Sequence, residues 1–449
     1  MAISRRRFLD RSIKGGFSAA LGVAGMPRAS KAVAPSDKVV IGVMGMGGRG
    51  TTLTTFFAAR PDVEIAYVCD VNAKKLPDAV KLVQDKKGKT PKAVGNFQRI
   101  LEDQGVDALV CSTPDHWHSL ATVLACQAGK DVYVEKPASN AIGEGRKMVE
   151  AARKHRRVVQ VGMQNRSSSY CASARELIQS GKLGSVHLVR VYNMLNREPV
   201  EQTPDTAPPE GFDWDMWLGP GPLRPYNPKY FRRVFWDFNG GIMTDDGIHQ
   251  LDLARAVIGV SFPKSVHHAG GRLFFNDIAE TPDTSIVTYE YDGLTLVFEE
   301  TWWTPYMIKI PTSVRESTTQ FPDWYPFIAT RIEIHGSSGM MILGRHGGGW
   351  QSFDREGHKV ASDKQTFSAM QAGHIENFVS CIRSRNRPNA DAEEGHISAA
   401  LCHMANISYR LGDRKVVFDS SQEAFADDRE ANQYLNRTYR APWVMPENV

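Results

Sequence analysis

From Lys38 onward the chain alternates short, nearly continuous apolar runs with stretches of helical period, a pattern that few folds satisfy. The runs are KVVIGVMG, VEIAYVCD, DALVCSTP, DVYVEKP and VVQVGMQ. Between them lie TTLTTFFAAR, HSLATVLACQAG and GEGRKMVEAARKH. A strand that is apolar throughout is buried on both faces, and strands separated by helices pair in parallel. The expectation is an α/β protein opening on a doubly wound parallel sheet. At 449 residues the chain is long enough for two domains or more. Further on, TSIVTYEYDGLTLVFEE reads as strand, and RIEIHG-SSG-MMILGR reads as a hairpin. The second domain therefore carries a mixed or antiparallel sheet.

Gly45-Met46-Gly47-Gly48-Arg49-Gly50 follows the first run directly and opens a helix. In a GxGxxG turn, Gly45 makes the tight bend, Gly47 lets backbone approach a pyrophosphate, and Gly50 lets helix and strand pack closely. Unpaired N–H groups at the helix start then face the phosphates. The second run ends in Asp70, about twenty residues on, where a carboxylate accepts hydrogen bonds from a ribose 2′-OH. This is the Rossmann dinucleotide pattern. Asp70 favours NAD, because a carboxylate repels a 2′-phosphate, while Lys74 and Lys75 keep NADP open.

Two further signals carry chemistry. The fifth strand ends in Glu135-Lys136-Pro137, which puts the lysine at the ligand-binding edge of a parallel sheet. Later, Gly240-Gly241-Ile242-Met243-Thr244-Asp245-Asp246-Gly247-Ile248-His249 precedes the helical pattern through Leu251, Ala254 and Val257. Four residues apart on a helical turn, Asp245 and His249 share a face and can hydrogen-bond. Oxidising an alcohol needs a base that works near neutral pH and a cation for the developing alkoxide, and histidine and lysine supply them.

The GxGxxG, the EKP and the GG-x3-D-x3-H-x2-D spacing ending at Asp252 resemble the Gfo/Idh/MocA family, named for glucose–fructose oxidoreductase and inositol dehydrogenase. The late stretch HISAALCHMANISYRLG and the closing YRAPWVMP are similar to an exported subgroup of that family. The resemblance implies a Rossmann domain followed by an α/β domain with a large open, mostly antiparallel sheet facing the nicotinamide. It also implies that Lys136 contacts the reacting hydroxyl, that His249 is the general base and that Asp245 lies beside them. The expected cofactor contacts are Gly45, Met46, Gly47, Gly48, Arg49, Gly50, Asp70, Thr113, Pro114, His118, Glu135, Lys136 and Gln164. The role of Asp246 stays unassigned.

Other stretches leave alternatives open. In Ser112-Thr113-Pro114-Asp115-His116-Trp117-His118, a histidine either touches the ligand or helps cap the next helix. Gln164-Asn165-Arg166, after the sixth strand, is placed to face the ligand. The connection 196–235 is rich in proline, glycine and aromatics, as long functional covers are. Its Trp214, Trp217 and Tyr226 either stack on sugar rings or pin the connection to the body. Arg232 and Arg233 read as surface residues, with carboxylate binding the alternative. Of Trp302 and Trp303, one packs inward and one outward. His374, His396 and His403 suit core or interface positions better than a metal site. The six cysteines form no CxxC pair and read as small buried hydrophobes.

The N-terminus reads Ser4-Arg5-Arg6-Arg7-Phe8-Leu9 followed by a Gly/Ala-rich apolar stretch, a twin-arginine export signal. Residues 1–34 carry seven basic side chains against one acidic, so without them the formal charge falls from +4 to −2. A slightly acidic body gives no reason to expect nucleic-acid binding. The expected division is a signal over 1–34, the dinucleotide domain over 35–165, a substrate domain over 166–385, and a C-terminal helix and tail over 386–449. Twin-arginine export moves folded proteins, so the cofactor would be loaded first and then restored within each catalytic cycle. The expected activity is NAD(P)-dependent oxidation of a sugar, polyol or glycoside hydroxyl by a periplasmic or otherwise exported homo-oligomer. Membrane contact would come only through export or an uncleaved signal. The alternatives are epimerisation or glycoside cleavage through transient oxidation, and a sugar-binding protein with a relic site.

Overall fold

A computed structural model describes residues 37–305, 307–324 and 328–449. The export-signal reading of residues 1–34 lies outside the described residues. Six strands form the first sheet: β1 (Val39–Met44), β2 (Val63–Cys69), β3 (Lys92–Val94), β4 (Ala108–Cys111), β5 (Asp131–Val134) and β6 (Val159–Val161). All pair in parallel, in the order β3-β2-β1-β4-β5-β6. The apolar runs become the five strands buried on both faces, whereas β3 is a short and largely exposed edge strand. Strand order reverses between β1 and β4, so a crevice opens at the carboxyl ends of the strands there. The glycine turn, Asp70, Thr113, Lys136 and Gln164 follow five different strands and all sit at that edge.

The second sheet has ten strands. They are β7 (Val186–Met194), β8 (Ser265–Gly271), β9 (Thr284–Tyr291), β10 (Leu294–Thr301), β11 (Arg331–Gly336), β12 (Gly339–Gly344), β13 (Gly349–Phe353), β14 (Lys359–Asp363), β15 (Val416–Asp419) and β16 (Ala424–Phe425). Their order is β14-β13-β12-β11-β7-β10-β9-β8-β15-β16. Only β7 and β10 run parallel, and β11–β12 is the hairpin expected from sequence. Along β10 every second residue is buried (Leu294, Leu296, Phe298 and Glu300), which marks a sheet covered on one face. The helices Ile248–Ile258 and Ala392–Arg410 supply that cover. Trp302 is buried at the end of β10 and Trp303 points outward.

The chain does not leave the first sheet for good. The helix Phe367–Ser384 returns to it and packs Ile375, Phe378 and Val379 against Phe57, Tyr133 and Val158. Phe378 meets Phe57 and Tyr133 edge to face, with ring centroids 6.3 and 5.8 Å away. The Val161 N–H of β6 donates to the Ala390 carbonyl at 2.8 Å, extending the sheet edge toward the helix Ala392–Arg410. All six cysteines are buried and unpaired. No helix among the described residues is long and apolar enough to cross a membrane.

Removing a ring that both lobes share should be costly. Phe378→Ala is expected to destabilise the protein by about 4 kcal/mol. Leu223→Ala, at an exposed position, should change stability by less than about 0.5 kcal/mol. Denaturant titration of the two variants checks both.

Candidate active site

The glycine turn has the geometry that a bound dinucleotide requires. Gly45 sits at φ +90°, and a Cβ there would lie 2.8 Å from the Ser112 carbonyl oxygen. A Cβ on Gly50 would lie 1.8 Å from the Gly45 carbonyl oxygen, so only glycine lets helix and strand approach this closely. At Gly47 and Gly48 an added Cβ meets nothing within 4 Å and would fill an open cradle. That cradle lies before the helix Gly48–Ala58, whose N-cap Gly47 provides no side-chain cap. First-turn N–H groups are thus available to an anion. Asp70 Oδ2 accepts from the Met46 N–H at 2.7 Å, and Oδ1 accepts from the Asn72 N–H at 2.8 Å. Met46 contributes this backbone group, while its side chain is buried beside Thr54. Lys75 lies 3.5 Å from Asp70; the Lys74 N–H caps a short turn on Asn72.

A cavity of about 550 Å³ extends from this turn, with Asp70, Asn72, Thr113 and Pro114 on one wall. Residues of the 196–235 connection form the facing wall, among them Phe212, Trp217, Tyr226 and Phe231. The connection is stitched to the loop after β2: Ala73 N–H donates to Gly211 O, and Asp213 N–H donates to Val71 O, both at 2.8 Å. Trp214 and Trp217 stack 4.6 Å apart, and Trp214 Nε1–H donates to the Arg224 carbonyl. Trp214 therefore pins the connection, while Trp217 and Tyr226 also line the cavity.

An inner chamber of about 240 Å³ is lined by Glu135, Lys136, Gln164, His249, His346 and Phe367. It shares Arg49, Thr113 and Arg233 with the outer cavity, so the two are continuous. Lys136 and Asp245 come together here from the two lobes, and Lys136 Nζ donates to Asp245 Oδ1 at 3.0 Å. Residues Met243–Gly247 form one π-helical turn that leads into the helix Ile248–Ile258. Arg233 donates to Asp245, and Arg197 lies 3.6 Å away. Burial alone would raise the Asp245 pKa, but Lys136 and Arg233 hold the carboxylate well below its usual range.

His249 is buried, and its Nδ1 has no hydrogen-bond partner. Asp245 and His249, which could have hydrogen-bonded, do not. Lys136 and Arg233 take the carboxylate, and a cation is a stronger partner for it than a neutral imidazole. Burial, reinforced by Lys136 and Arg345, pushes the His249 pKa well below the ordinary histidine value. The ring is therefore neutral at physiological pH. His346 packs against it edge to face, with centroids 4.5 Å apart. Burial and the neighbouring His249 push the His346 pKa well down too.

Several expectations need correction. His118 lines neither cavity: it is buried, with Nδ1 2.6 Å from the Pro137 carbonyl and Nε2 2.9 Å from that of Thr113. It braces the turns that carry the site instead of touching a ligand. Arg233 is partly exposed, as expected of a surface residue, but it also donates to Asp245. Arg166 turns inward to Asp252, donating at 2.7 Å, which leaves Gln164 as the member of its triplet that lines the chamber. Glu135 takes the Arg49 side chain at 2.7 Å across the crevice. Asp246, without a role in the sequence reading, accepts two hydrogen bonds of 2.9 Å from Arg345. Arg197, Lys309 and the adjacent Arg345 and His346 were missed, since no motif surrounds them. His374, His396 and His403 are buried, bonded to Ser167, Glu423 and the Ser139 carbonyl respectively.

With this geometry established, comparison with known proteins assigns the class. Residues 39–163 match the oxidoreductase family's NAD-binding Rossmann fold, and residues 191–294 and 333–445 match the family's C-terminal alpha/beta domain. The chain belongs to the Gfo/Idh/MocA oxidoreductase family and carries an NAD-binding Rossmann domain. A myo-inositol 2-dehydrogenase of Thermotoga maritima is 25% identical over 82% of this chain and 95% of its own length. A glycosyl hydrolase family 109 protein of Saccharopolyspora erythraea is 32% identical over 34% of this chain and 38% of its own. The matched stretch spans less than two thirds of several curated relatives. The WlbA dehydrogenase of Bordetella pertussis, solved with NADH and UDP-GlcNAcA, superposes with a TM-score of 0.60 at 21% identity. That match covers 85% of this chain and 99% of the dehydrogenase, and it shows a shared fold.

Asp70 both supports the glycine turn and faces the dinucleotide cleft. Asp70→Ala is expected to speed loss of bound dinucleotide by roughly tenfold. Nicotinamide absorbance remaining during prolonged dialysis measures it.

Proposed function

We propose that this oxidoreductase acts on a ring hydroxyl of a sugar, polyol or glycoside, and that its NAD stays bound and is restored within each cycle. The observation that carries this reading is the neutral His249 beside Lys136 and Asp245, in a chamber continuous with the dinucleotide cleft. The cradle at Gly47 and Gly48 and the Asp70 carboxylate would hold the dinucleotide, whose nicotinamide ring accepts the hydride when bound. His249 takes the hydroxyl proton, since a neutral imidazole has the free lone pair this requires. Lys136 faces the developing alkoxide, and Asp245 fixes the position of its ammonium group. The wall built by the 196–235 connection supports retention, because it lies across the cleft and is tied to the loop after Asp70.

Export by the twin-arginine route fits this reading. SRRRFL supports it at the level of sequence, and a periplasmic enzyme that keeps its cofactor needs no exchange with the cytoplasmic pool. The outward sheet face, with Ile286 51% exposed, is the surface we assign to homo-oligomer contacts.

His346 favours a second reading on the same site. Cleaving a glycoside through transient oxidation needs one proton removed from a hydroxyl and another from the carbon beside the resulting ketone. Two neutral imidazoles 4.5 Å apart can divide those transfers. The relatives named as glycosyl hydrolase family 109 proteins support this alternative.

His249→Ala should lower kcat by at least about a hundredfold while the purified protein keeps its nicotinamide absorbance. Because its pKa is depressed, His249 stays unprotonated well below pH 6.5. The log kcat/KM profile is thus expected to stay flat through neutrality and fall only at pH values below the ordinary histidine range. An acid limb centred near pH 6.5 would remove His249 as the base. Turnover without added NAD, followed by mass spectrometry of products from a panel of sugars and glycosides, tests retention and reaction type together.

A further inference from the structure

The charges around the reacting centre do not balance. Lys136, Arg197 and Arg233 surround Asp245, while Arg345 and Lys309 surround Asp246. Five cations therefore face two ionised carboxylates. The other acidic groups nearby do not make up the difference. Glu135 is matched by Arg49. Glu300, buried and bonded to Asn193 and Trp302, has its pKa pushed up to about 8 and holds its proton at neutral pH. Burial raises the Asp115 pKa, and even with Asp115 counted as ionised the cations outnumber the carboxylates. Arg315 adds a further cation beside His346, donating to its carbonyl at 2.8 Å.

Some of these cations are also loosely held. Arg197 and Lys309 approach carboxylate oxygens only at 3.6 and 3.5 Å, long for a hydrogen bond, and their side chains are 34% and 56% exposed. Arg197 follows β7 and Lys309 lies beyond β10, the two parallel strands at the centre of the second sheet. The carboxyl ends of both strands thus present a guanidinium and an ammonium, each paired only at long range to Asp245 or Asp246 and each with donors left over. Arg233 is 44% exposed on the same side. Left uncompensated, the surplus keeps like charges together at a cost that an anionic substrate would offset.

We infer that the substrate is an anionic carbohydrate whose oxyanion, a carboxylate or a phosphate, docks on Arg197 and Lys309 while its ring hydroxyl reaches Lys136 and His249. This rests on the hydride-transfer reading above. Two planar or point cations with free donors suit an oxyanion, and guanidinium–oxyanion pairs fix orientation as well as charge. Anchoring beside Asp245 and Asp246 would hold the ring on the side of the carboxylate that Lys136 also contacts.

The test is calorimetric titration of the protein as purified with methyl glucoside, methyl glucuronide and glucose 6-phosphate. At least one anionic sugar is expected to bind about tenfold tighter than the glucoside, and whichever of the two does so identifies the oxyanion. Arg197→Gln and Lys309→Gln should each erase most of that preference without releasing nicotinamide absorbance or lowering the thermal midpoint. Equal or tighter binding of the neutral glucoside overturns the inference, as does an anionic preference unchanged in both variants. Absence of anionic binding at about 1 mM overturns it too. The two readings fail separately. Neutral sugars oxidised through His249 would leave hydride transfer standing without the anion site. Anionic preference with no sugar in the panel oxidised would leave the anion site standing without hydride transfer.

Discussion

The Lys136–Asp245 ion pair is the interaction on which the site depends. The lysine follows the last central strand of the first sheet, and the aspartate stands 109 residues later in the π turn of the second lobe. Both side chains are largely buried, at 9% and 18% exposure, so each has lost most of its hydration. Desolvation of two charges costs several kcal/mol, and a pair of this kind survives only with good geometry and further partners. Arg233, Arg197 and the Asp245 carbonyl that accepts from Lys136 provide them. What the pair secures is position: the ammonium group stays beside the chamber that His249 lines. It also keeps Asp245 from tying up His249, whose Nδ1 stays without a partner.

Position at that pair in turn relies on how the lobes are joined. Arg385, just past the helix Phe367–Ser384, clamps Asp131 at the start of β5 with bonds of 2.7 and 2.8 Å. Arg383 reaches Asp62 ahead of β2 at 2.7 Å, and Arg146 of the helix Ile142–Lys154 pairs with Glu393. Bidentate arginine–carboxylate contacts hold orientation as well as distance. A chain that leaves the first sheet at β6 and comes back through two helices builds one frame, and the crevice is a feature of it. The element lying across the dinucleotide cleft is then the 196–235 connection, held by backbone bonds and stacked tryptophans.

Much of this was legible in the sequence, for reasons that can be named. Strands apolar on both faces declare a parallel sheet, and the local demands of a tight turn leave Gly45 and Gly50 no substitute. Asp70 was readable because its distance from the turn is fixed by one strand–helix–strand unit. Lys136 and the Asp245/His249 stretch were readable because short motifs carry them. Arg197, Lys309, Arg345 and His346 were not, since they meet only through the pairing of β7 with β10 and of β11 with β12. Nothing within a few residues of any of them marks the encounter. The π turn was equally hidden, because DDGIHQLD has the same apolar spacing for one wide turn as for an ordinary one. His118 misled for the opposite reason: its place after β4 is right for ligand contact, but its ring found two carbonyls nearer at hand.

One consequence of the charge surplus bears on how the site can work at all. Burial chiefly keeps His249 neutral, and the surrounding cations reinforce this and make it a weaker base, since their field opposes the arrival of a proton. Taken alone this would slow proton removal. The same field acts on the substrate, however, and a hydroxyl beside Lys136 becomes more acidic as its alkoxide is stabilised. Efficient transfer needs the two pKa values to be close, so lowering both together preserves the driving force. A site with a single lysine and no surrounding arginines would favour a stronger base but would face a less acidic alcohol. In the proposed mechanism the charges that would stabilise the alkoxide also reinforce the effect of burial on His249, and Asp245 and Asp246 hold those charges in place.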